Sequence, residues 1–217
     1  ARSTKHEIIV SLYNSNIFNF NDLRNNFFLK MIEKTINEIA ENFHNLARFC
    51  IDDIDKASKL IITSLSSNGK VMFCGNGGSA ADAQHLSAEL LGRYQKNRPP
   101  LAGLALTTDT STISAVANDF DFEDIFSRQV ESLGQTNDIL YAISTSGKSK
   151  NILSAIKSAR KKDIKIIGVT GSNGGDLNDI CDILIKVPAD RPDRIQEMHI
   201  AVGQIICEIV ENYFYPS

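Results

Sequence analysis

Five short apolar runs, each bounded by polar or glycine-rich residues, leave few folds open to this chain: Val71–Cys74, Leu101–Leu106, Ile139–Ile143, Ile164–Val169 and Ile183–Val187. Within each run the apolar residues are mostly contiguous instead of alternating with polar ones. A strand of that kind is buried on both faces, as in a parallel sheet. The stretches between the runs are amphipathic, Ile152–Lys162 among them. Strands alternating with helices predict an α/β fold. The expected architecture is a flavodoxin-like five-stranded parallel sheet sandwiched by helices.

Helical periodicity precedes the sheet. From about Asn21, residues Phe28, Met31, Ile32, Thr35, Ile36 and Ile39 recur at three- and four-residue spacing. A second helix is expected over Ile51–Ser67, with Leu60, Ile61 and Leu65 on its apolar side and Asn68-Gly69 as its stop. Arg194–Phe214 reads as a long closing helix whose apolar face holds Ile195, Met198, Val202, Ile205, Ile206 and Ile209. Residues 1–20 are polar and rich in asparagine, and are expected to form a flexible arm. Residues 21–217 then form one domain that includes the N-terminal helical pair. Such a pair, lying outside the sheet layers, is suited to assembly.

Composition narrows the partners. A formal net charge of -3 argues against direct nucleic-acid binding. The densest basic run, Arg160-Lys161-Lys162, falls where a helix should end, a position the helix dipole favours for cations. No apolar run is long enough to span a bilayer, and no secretory signal is read. The four cysteines, Cys50, Cys74, Cys181 and Cys207, form no C-x-x-C pair and sit among apolar residues. Buried free thiols in a reducing, cytoplasmic setting are expected.

In an open parallel sheet, ligands bind beyond the carboxyl ends of the strands. Two loops there carry chemistry. Ile143 is followed by Ser144-Thr145-Ser146-Gly147-Lys148-Ser149 and then by a helix. Hydroxyls and free N–H groups at a helix start make an anion site. Four hydroxyl residues exceed what one cap requires, although a capped strand–helix turn is the plain alternative. Gly147-Lys148-Ser149 has the tail of a Walker A motif, but Ala142 stands where that motif needs glycine, so a P-loop is rejected.

The other loop runs Cys74-Gly75-Asn76-Gly77-Gly78-Ser79 into a helix. Gly75, Gly77 and Ala80 fit the loose dinucleotide pattern, yet the acidic residue expected about twenty positions later is missing around Pro99–Leu101. Further along that helix, His85 and Glu89 lie four apart and therefore one turn apart on one face, with Asp82 on the same side. Such a pair binds a divalent metal or acts as a base and its partner, and it is also a common surface pair. The glycine loop ahead of it is what aims this helix at the ligand crevice.

Together the segments CGNGGS (74–79), DAQHLSAE (82–89), GRY (92–94), ND (118–119), IFSR (125–128), ISTSGKS (143–149) and RIQEMH (194–199) resemble the sugar isomerase (SIS) domain family over roughly residues 70–200. The resemblance implies an aldose–ketose isomerase acting on sedoheptulose 7-phosphate. Its product would be D-glycero-D-manno-heptose 7-phosphate, for lipopolysaccharide heptose synthesis. It further implies that Asn76, Gly77, Gly78, Ser79, Ser144, Thr145, Ser146 and Ser149 hold the sugar phosphate. Asn118, Asp119 and Gln196 would line the substrate, and Arg93 would complete the charge. His85, Glu89 and Gln196 would be metal ligands for one zinc ion per subunit, in a homotetramer with sites at subunit interfaces. Glu89 would move the proton. One position departs from the family pattern: Gln204 stands where those enzymes carry a second histidine that serves as ligand and acid/base. A glutamine carbonyl can coordinate but cannot shuttle a proton near neutral pH. Two other outcomes are open to this family: a non-enzymatic scaffold that binds the bacterial replication initiator, and a sugar-phosphate-binding regulator. The carboxylate at Glu89, which that scaffold lacks, points to the enzyme.

Overall fold

The computed structural model describes residues 20–216, with side chains from residue 26 onward. The expected arm, residues 1–20, lies outside the described residues except for Phe20, which opens helix α1 (Phe20–Phe49). The chain divides between Glu41 and Asn42. In the first unit, Phe27, Phe28, Leu29, Met31, Ile32 and Ile36 are all exposed, so this part of α1 buries no apolar stripe within the unit.

The second unit contains the end of α1 and α2 (Ile51–Ser66), then β1 (Val71–Cys74), α3 (Gly78–Leu91), β2 (Gly103–Ala105), α4 (Thr110–Asp119), α5 (Ser127–Leu133), β3 (Ile139–Ile143), α6 (Lys150–Lys161), β4 (Lys165–Thr170), β5 (Ile183–Lys186) and α7 (Pro192–Phe214). The strands form one sheet in the order β2-β1-β3-β4-β5, and every pairing is parallel. That is the flavodoxin-like order, with its switch point between β1 and β3.

Strand residues alternate between two cores, as a period of two requires. Val71, Phe73, Ile139, Tyr141, Ile143, Ile167 and Val169 face α2, α3 and α7, so α2, expected to lie outside the sheet layers, instead covers one face of the sheet through Ile54, Ala57 and Ile61. Met72, Cys74, Leu140, Ala142 and Ile166 face α5 and α6. The central strands are buried on both faces, which is why they read as apolar runs. At the amino-terminal edge, Asp138 is 2% exposed and binds the Lys70 ammonium at 2.5 Å. It also accepts the backbone N–H groups of Lys70 and Gln135.

The edge strand β2 is shorter than the apolar run that predicted it. The Leu101 N–H donates to the Leu90 carbonyl at the end of α3 instead of joining a ladder, and Pro99-Pro100 just ahead offer no N–H at all. Helices α4 and α5 fill the span between β2 and β3. The first starts at an Asp109 cap, whose carboxylate accepts the Thr112 N–H at 3.0 Å.

Helices α3 and α7 lie in close contact, because α7 presents Gly203 to Leu86: a methyl group added at Gly203 would collide with the leucine side chain. Gly203→Ala is therefore expected to destabilise the fold by about 1–3 kcal/mol despite alanine's better helix propensity. Denaturant unfolding of the variant beside wild type checks this.

Candidate active site

The loops after β1 and β3 emerge side by side, since Cys74 pairs with Ala142 in the sheet. They are fastened to each other by a reciprocal amide pair. Asn76 Nδ2 donates to Asn151 Oδ1 at 2.9 Å, and Asn151 Nδ2 donates to Asn76 Oδ1 at 2.8 Å. Asn151 is buried in the first turn of α6, so the glycine loop and the hydroxyl loop form one wall. Asn151 was not among the candidates read from the sequence. An asparagine two residues into a helix looks like an ordinary first-turn residue.

The hydroxyl loop is tightly shaped. Ser144 is buried, and its Oγ lies 3.0 Å from Ser149 Oγ. Ser149 stands at the cap position of α6 without capping through its side chain. Ser146 is exposed and accepts the Lys148 N–H at 3.2 Å. The Thr145 carbonyl accepts the Gly171 N–H, and the Gly147 carbonyl accepts that of Asp176. Gly147 has φ +65°, and a β-carbon there would strike the Gly174 carbonyl. Only glycine meets both demands.

Gly77 (φ +56°) and Gly78 open α3. A side chain at Gly78 would come within 2.7 Å of the Gln196 amide, so the head of Gln196 lies against the helix start. Ser79 follows, buried in the first turn. Asn118 and Asp119 end α4, exposed and joined by a 2.7 Å hydrogen bond. The short 3₁₀ turn just after them reaches the start of α6 through a Glu123–Lys150 ion pair of 2.7 Å. Arg93 is exposed in the turn that follows α3.

His85 Nε2 and Glu89 Oε1 are 3.0 Å apart, with the imidazole half exposed and the carboxylate largely covered. Asp82, one turn earlier, buries an oxygen that has no hydrogen-bond partner. Burial pushes its carboxyl up to about 6, against the opposing field of His85. On the facing helix, burial pushes the Cys207 thiol up to about 12, and Glu89 adds to that shift. Gln204 is half-buried one turn before Cys207 and just beyond Gly203, which touches Leu86. Gln204 is thus level with the His85–Glu89 pair. Gln196 is not: its amide is at Gly78, and seven helical residues from there to His85 span roughly 10 Å.

The chain therefore brings two groups together. Asn76, Gly78, Gln196, Ser144, Ser149 and Asn151 surround the helix starts, while His85, Glu89, Asp82 and Gln204 sit further along α3 and α7. No set of three or more His, Cys, Asp or Glu side chains able to hold a metal occurs among the described residues. His199 belongs to neither group. It is buried in the core face of α7, and burial holds its imidazole down to about 4 although the Thr170 carbonyl favours the charged form at a geometry short of a hydrogen bond.

The model of the SIS domain matches residues 34–171. The chain belongs to the SIS domain family. Within that family it is 55% identical over 163 residues to the phosphoheptose isomerase of Rhodospirillum rubrum, covering 75% of this chain and 87% of that protein. It is 47% identical over 184 residues to that of Akkermansia muciniphila, covering 85% and 97%. Among solved structures, the phosphoheptose isomerase of Neisseria gonorrhoeae superposes with a TM-score of 0.81 at 37% identity, covering 85% of this SIS chain and 99% of that one.

Two measurements test the geometry. Gly147→Ala is expected to weaken binding of a sugar phosphate, read by calorimetry, because the loop must move off Gly174. For Asp82, the folded chain keeps a proton up to about pH 6 that an unfolded chain releases near 3.8. Stability is therefore lost as pH rises through that window. Metal-free Asp82→Asn should melt above wild type near pH 7.5, and the difference should vanish below about pH 4.

Proposed function

We infer that this protein isomerises sedoheptulose 7-phosphate to D-glycero-D-manno-heptose 7-phosphate. The observation that carries the reading is the 3.0 Å His85–Glu89 pair on α3. That helix begins in the glycine loop which Asn76 and Asn151 fasten to the hydroxyl loop. A phosphate and a reacting carbonyl lie several carbons apart in a heptose phosphate. The two side-chain groups are likewise separated along α3.

In this mechanism the orphan N–H groups at the start of α6, with Ser144, Ser146, Ser149 and Thr145, bind the phosphate. That binding energy is remote from the reacting carbons and orients them. The Glu89 carboxylate takes a proton from C1 of the ketose, the electron pair moves into the C1–C2 bond, and the C2 carbonyl becomes an enediolate oxygen. The proton goes back to C2 as the C1 hydroxyl becomes the aldehyde, and the proton that hydroxyl gives up passes to the C2 oxygen, which ends as a hydroxyl. Asn118, Asp119 and Arg93 would line the sugar.

Zinc fits the near half of its expected ligand set. His85 and Glu89 offer donors close enough to share one ion, and Gln204 is level with them. Gln196, the other expected ligand, lies at Gly78 in this chain, and a homotetramer with sites between chains belongs to the same reading. The ion, when bound, supplies Lewis-acid polarisation of the substrate oxygens. The reading extends to a cytoplasmic enzyme of lipopolysaccharide heptose synthesis.

Purified protein with sedoheptulose 7-phosphate and zinc tests the proposal. Glu89→Gln is expected to lose about 10²–10⁴-fold in kcat, the usual contribution of a general base. Equal turnover by wild type and this variant would sink it. Ser149→Ala should raise KM and leave kcat nearly unchanged.

A further inference from the structure

Near the end of α7, Glu211 is buried at 2% exposure of its side chain. Its Oε1 accepts the Tyr94 N–H at 3.0 Å and Arg98 Nε at 2.8 Å. Its Oε2 accepts the N–H groups of Gln95 at 2.8 Å and Lys96 at 2.9 Å. Burial alone would raise this carboxyl, but those donors bring it down to about 2, so it is ionised. The loop that follows α3 is thereby wrapped around one carboxylate of α7.

Arg98, with a side chain 1% exposed, uses the rest of its fork on the end of α3. Nη2 donates to the Glu89 carbonyl at 2.7 Å, and Nη1 to the carbonyls of Leu90 at 2.9 Å and Pro99 at 3.0 Å. A helix end left in water would have those carbonyls satisfied by solvent. A buried ion pair is also a weak source of net stability, because desolvating two charges offsets their attraction. What this arrangement does secure is location. The peptide carbonyl of Glu89 itself is bolted to α7 through a planar, five-donor group that lysine cannot imitate.

We propose that Arg98, held in place by Glu211, is a positioning residue for Glu89, setting where its carboxylate stands relative to His85 and α7. The proposal rests on the isomerase reading for its kinetic consequence, but not for its geometry. Misplacing a catalytic group by about 1 Å costs on the order of a hundredfold in rate.

The test compares Arg98→Lys and Glu211→Gln with Asp138→Asn, which breaks the buried Lys70–Asp138 pair just ahead of β1 and β3 and contacts neither Glu89 nor Arg98. All are assayed as full chains below their melting temperatures. Arg98→Lys should lower kcat at least tenfold with KM within twofold, and Glu211→Gln should do the same to a lesser degree. Asp138→Asn should lose stability and keep kcat. At fixed pH, the ring resonances of His85 should shift in the Arg98 and Glu211 variants and stay in place in the Asp138 variant. A kcat within twofold of wild type in either folded variant overturns the proposal. If wild type itself turns over no sedoheptulose 7-phosphate, the isomerase reading fails instead. Unmoved His85 resonances would then still refute the positioning role.

Discussion

Two hydrogen bonds between the side-chain amides of Asn76 and Asn151 hold the working end of this molecule in shape. Adjacent parallel strands deliver their loops to the same place, but parallel pairing says nothing about how those loops meet. Here the glycine loop after β1 and the first turn of α6 are cross-linked, so the starts of α3 and α6 are presented together. Both amides are satisfied in the pairing, and Asn151 is buried, which makes the link costly to break. The glycines around it follow from this closeness. Gly147 leans on Gly174, and Gly78 on the Gln196 amide, with no room for a side chain at either position.

The same economy of space governs α3 and α7. Leu86 packs against Gly203, so the helix carrying His85 and Glu89 lies against the one carrying Gln204 and Cys207. The environment of the acids follows from that packing. Asp82 is starved of partners and holds its proton longer than an exposed aspartate. Glu211 is buried yet surrounded by donors, and gives its proton up more readily. Two carboxyls in one helix pair are thus pushed in opposite directions, Asp82 up by burial without a partner and Glu211 down by hydrogen bonds that outweigh its burial.

Much of this was legible in the chain. Continuous apolar runs announced a doubly covered parallel sheet because burial on both faces removes alternation. The four-residue spacing of His85 and Glu89 put them on one helical face, and the folded helix brings them to 3.0 Å. The length of β2 was not legible. Whether Leu101 joins a ladder depends on the Leu90 carbonyl, a partner from another element. Asn151, Arg98 and Glu211 were equally silent, since each acts through a residue distant in sequence.

The sequence by itself determined the class of fold, the two loops that face a ligand, and the helix face that bears His85 and Glu89. All three rest on local periodicity, on turn chemistry, or on motifs contained within a few residues. Only the tertiary structure decided that Gln204, and not Gln196, stands level with that pair, and that Asn76 is joined to Asn151. It alone decided that the backbone at Glu89 is held by a charge pair reaching across to α7. Those facts depend on how helices slide and pack against one another. Such offsets arise from the shapes of Leu86, Gly203 and their neighbours in three dimensions, and no spacing along the chain encodes them.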